Sequence, residues 1–236
     1  MTVYFIGAGI GGIDYLTVKG YRLISQAEVI LYDALADSTI LDLAPQECLK
    51  INVGKRGGKV STPQASINQL LVDYAQQKEI VIRLKSGDPA IFGRINPELE
   101  ALSTINASVE LIPGISSVLA APLLAGITLT EKEHSQNFTV ISGHNPDSLN
   151  WSVLSKMDTL IVLMGARNLQ SICQYLMANN RPPNFPIAII KNAGRENQQI
   201  WLGQLDNIVT QTADVSLSPC VIVIGNMINH RQLPLS

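Results

Sequence analysis

The stretch VYFIGAGIGG at residues 3–12 places a run of apolar residues directly before a loop that contains four glycines. A short apolar run of this kind predicts a buried β-strand, and glycines let the following backbone turn sharply or approach a neighbour closely. Asp33 ends the next apolar run, 21 residues after Gly12. Together these residues match the G-x-G-x-x-G fingerprint with its acidic partner, which predicts an α/β fold with a ligand-binding loop.

The glycine motif alone leaves the ligand open. A dinucleotide site needs a helix that begins inside the motif, so that the helix N-terminus points at the pyrophosphate. Here residues 13–17, IDYLT, separate the glycines from the helical pattern that settles at Val18. A dinucleotide oxidoreductase, another nucleotide-type cofactor and a plain strand-to-helix turn all stay compatible with the motif.

Outward from this loop, short β-branched runs alternate with helical patterns, which is typical of a mostly parallel sheet with helices on both faces. The predicted strands are 3–6, 29–32, 49–53, 80–84, 109–112, 138–142, 160–164, 187–190, 199–202 and 220–224. The predicted helices lie near 16–27, 63–76, 115–124 and 168–179. A more polar stretch interrupts the series, so we predict two α/β domains, 1–126 and 137–236, with a linker at 127–136.

The composition excludes several classes of protein. Of the 236 residues, 46% are hydrophobic and only 15% are charged, which excludes a disordered chain. The net charge of −2 argues against a nucleic-acid partner. The longest uncharged stretch, 111–130, is interrupted by prolines and glycines, so we expect no membrane span.

Cysteines and histidines predict neither disulfides nor a metal site. Cys48, Cys173 and Cys220 are scattered and form no C-x-x-C pair, which is typical of buried thiols in a reducing cytosol. The three histidines form no H-x-H or H-E-x-x-H pattern. We therefore expect a cytoplasmic protein without a bound metal.

Five segments together are far more specific than the glycine motif. They read GAGIGGIDYLTVKG (7–20), YDALADSTI (32–40), VGKRGGKVSTPQASINQLL (53–71), VIRLKSGDPAIFGR (81–94) and LIPGISSVLAAPLLAGITLT (111–130). In this order they closely resemble the tetrapyrrole methylases, and the resemblance continues over almost the whole chain. It implies a homodimer of two α/β domains that binds S-adenosyl-L-methionine in a trough between the domains, releases S-adenosyl-L-homocysteine, and methylates ring carbons of a reduced tetrapyrrole with several carboxylates.

The resemblance also implies roles for individual residues. Asp33 matches the proposed proton acceptor of the family, and Lys55 matches the proposed proton donor. The positions that match cofactor contacts are Gly9, Ile10, Ser86, Gly87, Asp88, Ile91, Ser116, Ser117, Met164 and Ala193. Arg56, Arg94 and Lys132 are candidates to pair with substrate carboxylates.

Ala34, Pro97 and Glu131 depart from the family pattern, and they all fall on the substrate side. They leave two alternatives to the reaction that the resemblance implies. One is a related methylase that acts on another precorrin or modified tetrapyrrole, and the other is a non-catalytic protein that binds a tetrapyrrole or the cofactor. Purely structural roles are alternatives for single residues, with Asp33 as a helix cap and Met164 as a core residue.

Overall fold

This computed structural model describes residues 1–54 and 62–231. The chain divides into two compact units, Met1–Ser116 and Ser117–Ser236. Each unit has its own β-sheet with helices packed on it, which confirms the predicted α/β class. The predicted roles of Lys55 and Arg56 fall on residues outside the described ranges.

In the first unit, the described residues form a sheet of five parallel strands in the order β3-β2-β4-β1-β5. The strands are Thr2–Gly7 (β1), Val29–Tyr32 (β2), Leu49–Asn52 (β3), Ile80–Lys85 (β4) and Ser108–Ile112 (β5). The helices are Val18–Ile24 (α1), Gln64–Gln77 (α2) and Asn96–Ser103 (α3), with 3-10 turns at Ile13–Tyr15 and Ser38–Leu43. Helix α3 is an element that the sequence pattern did not predict.

Side chains of the first sheet alternate between its two faces, as the two-residue period of a strand requires. Phe5 packs with Leu71 of α2 and Leu102 of α3, whereas Ile6 packs on the opposite side with Ile24 of α1. Because both faces are covered, the strands are apolar along most of their length.

The second unit has a mixed sheet, although the sequence pattern predicted mostly parallel strands. Its strands are Phe138–Ser142 (β6), Thr159–Leu163 (β7), Pro186–Lys191 (β8), Gln199–Gln204 (β9) and Cys220–Gly225 (β10), in the order β6-β7-β10-β8-β9. Its helices are Ser117–Leu124 (α4), Trp151–Leu154 (α5), Leu169–Ala178 (α6) and Ile208–Gln211 (α7). Strand β10 runs antiparallel to β7 and β8, and β9 pairs with β8 as a hairpin.

The border between the units lies before α4, whereas the sequence placed it after residue 126. Val118 and Ala121 of α4 belong to the core of the second sheet, together with Ile161 of β7. The predicted linker also packs in this unit, since Ser135 is buried and its Oγ lies 2.9 Å from Oγ1 of Thr159. Apolar burial of α4 and this polar contact assign the whole stretch from Ser117 onward to the second unit.

The three cysteines are free thiols. Burial raises the pKa of Cys173 to about 12 and that of Cys220 to about 11, and it also raises the pKa of Cys48. A thiol reacts as its thiolate, so we expect native protein to react slowly with Ellman's reagent at about pH 8. In urea all three thiols should be titrated rapidly; fast labelling of one native thiol would contradict the burial seen here.

The described residues were expected to hold no metal ion and to cross no membrane. They contain no group of three or more His, Cys, Asp or Glu side chains that is arranged to hold a metal ion. None of the helices in the described part of the chain combines the length and the apolarity that a bilayer crossing requires.

Candidate functional site

The parallel strands of the first unit bring most of the predicted site residues to one edge. All carboxyl ends of parallel strands share an edge, and ligands of open α/β sheets bind there. The loops after β1, β2, β4 and β5 contribute Gly9, Ile10, Asp33, Ser86, Gly87, Asp88, Ile91 and Ser116 to this edge. The Met1–Ser116 unit therefore gathers residues that lie more than a hundred positions apart in the sequence.

Glycines at this edge pin the loops to one another. Gly9 and Gly87 exchange backbone hydrogen bonds, with N···O distances of 3.2 and 2.9 Å. A Cβ added to Gly7 would lie 2.4 Å from Cα of Gly114 and 2.6 Å from O of Gly87. Such distances exclude a side chain, so the first glycines of the motif serve close packing between three loops.

The helix after the glycine motif does not meet the requirement of a dinucleotide site. Helix α1 begins at Val18, and its N-cap is Thr17, whose side chain accepts a hydrogen bond from Gly20 N at 3.1 Å. A 3-10 turn at Ile13–Tyr15 lies between the glycines and this helix. A dinucleotide site needs the helix to begin inside the glycine motif, so that its N-terminus points at the pyrophosphate. Here the 3-10 turn and the Thr17 cap separate α1 from the glycines, so that arrangement is not reproduced.

The Ser86–Asp88 loop has the properties of a polar ligand site. Oγ of Ser86 is buried and has no hydrogen-bond partner among the described residues. Gly87 has φ = +65°, and a Cβ on it would meet only Cα of Ser116, at 3.9 Å. Asp88 braces the loop, since its two carboxylate oxygens accept from Ala90 N at 2.8 Å and Gly114 N at 3.0 Å. An unpaired buried hydroxyl next to open backbone fits a ligand rich in polar groups, such as an adenosyl amino acid.

Asp33 is held by a buried ionic cluster. Its Oδ1 accepts a 2.6 Å hydrogen bond from Nη2 of Arg83, and its Oδ2 accepts a 3.4 Å bond from the backbone N of Ser86. The Asp33 side chain is 28% exposed, whereas that of Arg83 is only 2% exposed. Asp33 thus lies between the buried cluster and the Ser86–Asp88 loop, and it caps no helix.

Glu98 of α3 completes the cluster. Its carboxylate accepts from Nε and Nη2 of Arg83, both at 3.2 Å, and from Nζ of Lys85 at 3.1 Å. Two cations therefore face two carboxylates, and the formal charges balance. Removing one partner from a buried pair leaves an uncompensated charge and costs about 3–5 kcal/mol, so the members of this cluster stabilise one another.

The pKa values of the two cations of the cluster are shifted in opposite directions. Burial alone lowers the pKa of Arg83, but the charges of Asp33 and Glu98 outweigh burial and leave its pKa above the ordinary value. The pKa of Lys85 is lowered by burial and then by the like charge of Arg83. Arg83 is therefore the fixed positive charge beside Asp33.

In the second unit, two predicted cofactor residues follow β7 and β8, the strands that flank β10 and end at the same edge of the sheet. Met164 follows β7 with φ = +57° and is 49% exposed, so it is not the core methionine that the sequence left open. Ala193 follows β8 and is buried between Asn192, with φ = +52°, and Gly194, with φ = +77°. A left-handed conformation is unusual for methionine, and such outliers cluster at functional sites.

Of the remaining predicted residues, Arg94 lies in the first unit, and Ser117 and Lys132 lie in the second. Ser117 begins α4 in the second unit, and Lys132 is exposed in the turn before Ser135. Ile91 and Arg94 are exposed in the loop after β4, where Arg94 has φ = +51°. The structure therefore keeps Arg94 available to pair with an anion, while it does not bring Lys132 into the same unit.

The sequence pattern led to no predicted role for Arg83, Lys85 or Glu98. The signal was present, because Arg83 lies in the strand predicted at 80–84 and Lys85 follows that strand directly, two positions after Arg83. Alternate positions share a face, and charged side chains are almost never fully buried unless they are paired. Two buried cations on one face thus require nearby carboxylates, although the sequence alone does not say which ones.

Comparisons with known proteins point in one direction. Residues 2–209 match the family model Tetrapyrrole (Corrin/Porphyrin) Methylases. The chain is 49% identical to a uroporphyrinogen-III C-methyltransferase of Synechococcus elongatus, over 98% of this chain and 95% of that protein. It is also 38% identical to an S-adenosyl-L-methionine-dependent uroporphyrinogen III methyltransferase of Methanosarcina barkeri, over 96% and 92% of the two chains.

Solved structures and longer relatives agree with these matches. The uroporphyrin-III C-methyl transferase from Thermus thermophilus, solved with S-adenyl homocysteine, superposes with a TM-score of 0.84 at 31% identity, covering 98% of this chain and 100% of that one. A siroheme synthase of Actinobacillus pleuropneumoniae is 41% identical, over 96% of this chain but only 47% of its own length.

Proposed function

Because the chain belongs to the tetrapyrrole (corrin/porphyrin) methylases, we propose that it methylates uroporphyrinogen III to precorrin-2 with S-adenosyl-L-methionine as methyl donor. The observation that carries the proposal is the contact between Asp33, an ion-paired carboxylate, and the Ser86–Asp88 loop, with its unpaired buried hydroxyl. A group able to accept a proton therefore adjoins a loop suited to a polar cofactor. Precorrin-2 leads to sirohaem and cobalamin, and the proposal covers only the methylation.

The cofactor would be held by backbone and small side chains. From the first unit, the proposal includes Gly9, Ile10, Ser86, Gly87, Asp88, Ile91 and Ser116; from the second, it includes Ser117, Met164 and Ala193. The cofactor supplies a methyl group bonded to a positively charged sulfur. The chain contributes orientation, and fixing two reactants in line accounts for much of the rate in such transfers.

The chemical step needs no strong base to start it. A pyrrole carbon of the reduced ring is electron-rich, so its electron pair forms the new carbon–carbon bond as the carbon–sulfur bond breaks. The ring then carries the positive charge, and Asp33 stabilises it or removes a proton. The resemblance assigns proton donation to Lys55, which lies outside the described residues.

The three departures from the family pattern have local structural roles, which favours uroporphyrinogen III over another ring. Ala34 is buried, so its small side chain is packed inside the unit. Pro97 lies in the first turn of α3, where the fixed φ of proline suits the start of a helix. The carboxylate of Glu131 accepts from the backbone N atoms of Glu133 and His134, both at 3.1 Å. These residues are explained by packing and turn formation without a change of substrate.

Recognition of the substrate would rest on its carboxylates. Arg94 is exposed at the first unit's ligand edge, and the proposal adds Arg56 and Lys132. The proposal also places the enzyme in the cytoplasm as a homodimer. Leu119 and Leu123 of α4 are exposed apolar residues of the kind that subunit association buries. Light scattering tests the dimer directly, because a monomer mass would refute it.

An anaerobic assay with uroporphyrinogen III and methyl-labelled S-adenosyl-L-methionine tests the activity. We expect label in the tetrapyrrole, S-adenosyl-L-homocysteine as the second product, and two methyl groups per ring at completion. Calorimetry with S-adenosyl-L-homocysteine separates the alternatives. Binding without transfer to this ring would leave a methylase of another ring or a binding protein, and no binding of either adenosyl compound would reject the family function.

A further inference from the structure

Arg83 makes an unusually complete set of contacts for a residue inside a strand. A guanidinium has five N–H groups in a rigid fork, and each of those of Arg83 has an acceptor. Nε and Nη2 donate to Glu98, Nη2 also donates to Asp33, and Nη1 donates to the carbonyls of Leu31 at 3.4 Å and Leu84 at 3.2 Å. The side chain therefore has one orientation that satisfies all of its donors.

Glu98, which is paired with Lys85, fixes that orientation through Nε and Nη2 of the guanidinium. Nζ of Lys85 lies 3.1 and 3.3 Å from the two carboxylate oxygens of Glu98, and both side chains are almost completely buried. Because α3 supplies Glu98, the position of the guanidinium depends on the packing of this helix on the sheet. The loop after β2 is thereby connected to α3 through Arg83.

The contacts at Asp33 are unequal. Oδ1 receives the short charged bond from Arg83, whereas the bond that a described residue donates to Oδ2 is the 3.4 Å bond from Ser86 N. Asp33 is the partly exposed member of the cluster, so its carboxylate is the one that can meet a substrate. A carboxylate fixed through one oxygen presents the other in a defined direction.

We propose that Arg83 is a positioning residue, which holds the carboxylate of Asp33 in the orientation needed to act on the tetrapyrrole. This inference rests on the proposed function, since it assumes that Asp33 acts in methyl transfer. Arg83 itself is buried and acts only through Asp33. Lysine cannot replace it, because an ammonium has no planar fork with which to hold Asp33, Glu98 and two carbonyls together.

A double-mutant cycle tests the proposal. Arg83→Met should lower kcat about a hundredfold, since small misplacements of catalytic groups cost this much, while KM and the affinity for S-adenosyl-L-homocysteine change little. In an Asp33→Asn background the same change should have almost no further effect on kcat, because its target has already been removed. Arg22→Met, which removes an exposed arginine of α1, is the matched control and should be neutral.

Additive losses in the cycle, or a weakened cofactor affinity that explains the loss of rate, would overturn the positioning role. If Arg83→Met does not fold, the cycle is run with Arg83→Lys, which keeps the charge beside Glu98 and should show the same non-additivity. Failure of the proposed function looks different, because wild-type protein would then transfer no methyl group to uroporphyrinogen III.

Discussion

We expect Asp33→Asn to lower kcat for methyl transfer about 100- to 10,000-fold, which is the usual contribution of a general base, and to leave binding of S-adenosyl-L-homocysteine nearly unchanged. Asparagine keeps the size of the side chain and an oxygen that can accept from Arg83, whose Nη2 lies 2.6 Å from Oδ1 in the native protein. The charge and the ability to accept a proton are lost. The expected defect is therefore in the chemical step. Quenched single-turnover assays should show slower methyl transfer, and steady-state assays should show an unchanged KM.

Asp42→Asn provides the control, because Asp42 is an exposed carboxylate in the Ser38–Leu43 turn of the same unit. It should retain the wild-type rate. The melting temperature of both variants must be measured, since Asp33 also balances the charge of a buried arginine. A stable Asp33→Asn variant with the rate of the wild type would show that this carboxylate takes no part in the reaction.

The strands could be predicted from the sequence because their apolar, β-branched runs are a local property. The direction of a strand is not local: β10 has the same apolar pattern as β8 but runs antiparallel to it. Helix α3 was missed because its eight residues begin with Asn-Pro after a glycine loop, a pattern that equally marks a turn. The end of the first unit at Ser116 likewise depends on which sheet buries α4.

The candidate site, like the fold, could be predicted from the sequence only in part. Asp33 and the Ser86–Asp88 loop were predictable because each follows a recognisable strand, and the family resemblance gave them roles that remain predictions. The ionic cluster was not, because Glu98 comes from a helix absent from the prediction and meets Arg83 only through tertiary packing. A buried charge shows in the sequence as an anomaly, but its partner is known only once the helix is placed on the sheet.

The glycine-rich loop offers the second large effect: Gly7→Ala should abolish cofactor binding and destabilise the protein. The added Cβ would lie 2.4 Å from Cα of Gly114 and 2.6 Å from O of Gly87. These are backbone atoms of loops that are joined by the bond from Gly114 N to the Asp88 carboxylate, so they cannot move aside as a flexible side chain would. Overpacking of this kind costs about 1–3 kcal/mol, and here the strain falls directly on the Ser86–Asp88 loop.

Gly12→Ala separates this interpretation from that of a dinucleotide fingerprint. The fingerprint uses its last glycine for close packing of the helix on the strand, so alanine should be harmful there as well. In this fold a Cβ on Gly12 would meet only Oγ1 of Thr39, at 3.3 Å, and Gly12 has φ = −73°, which alanine adopts freely. Calorimetry with S-adenosyl-L-homocysteine and thermal unfolding should therefore show a severe defect for Gly7→Ala and a mild one for Gly12→Ala. Equal defects would mean that the loop binds through its whole glycine motif, and the packing role assigned to Gly7 would be wrong.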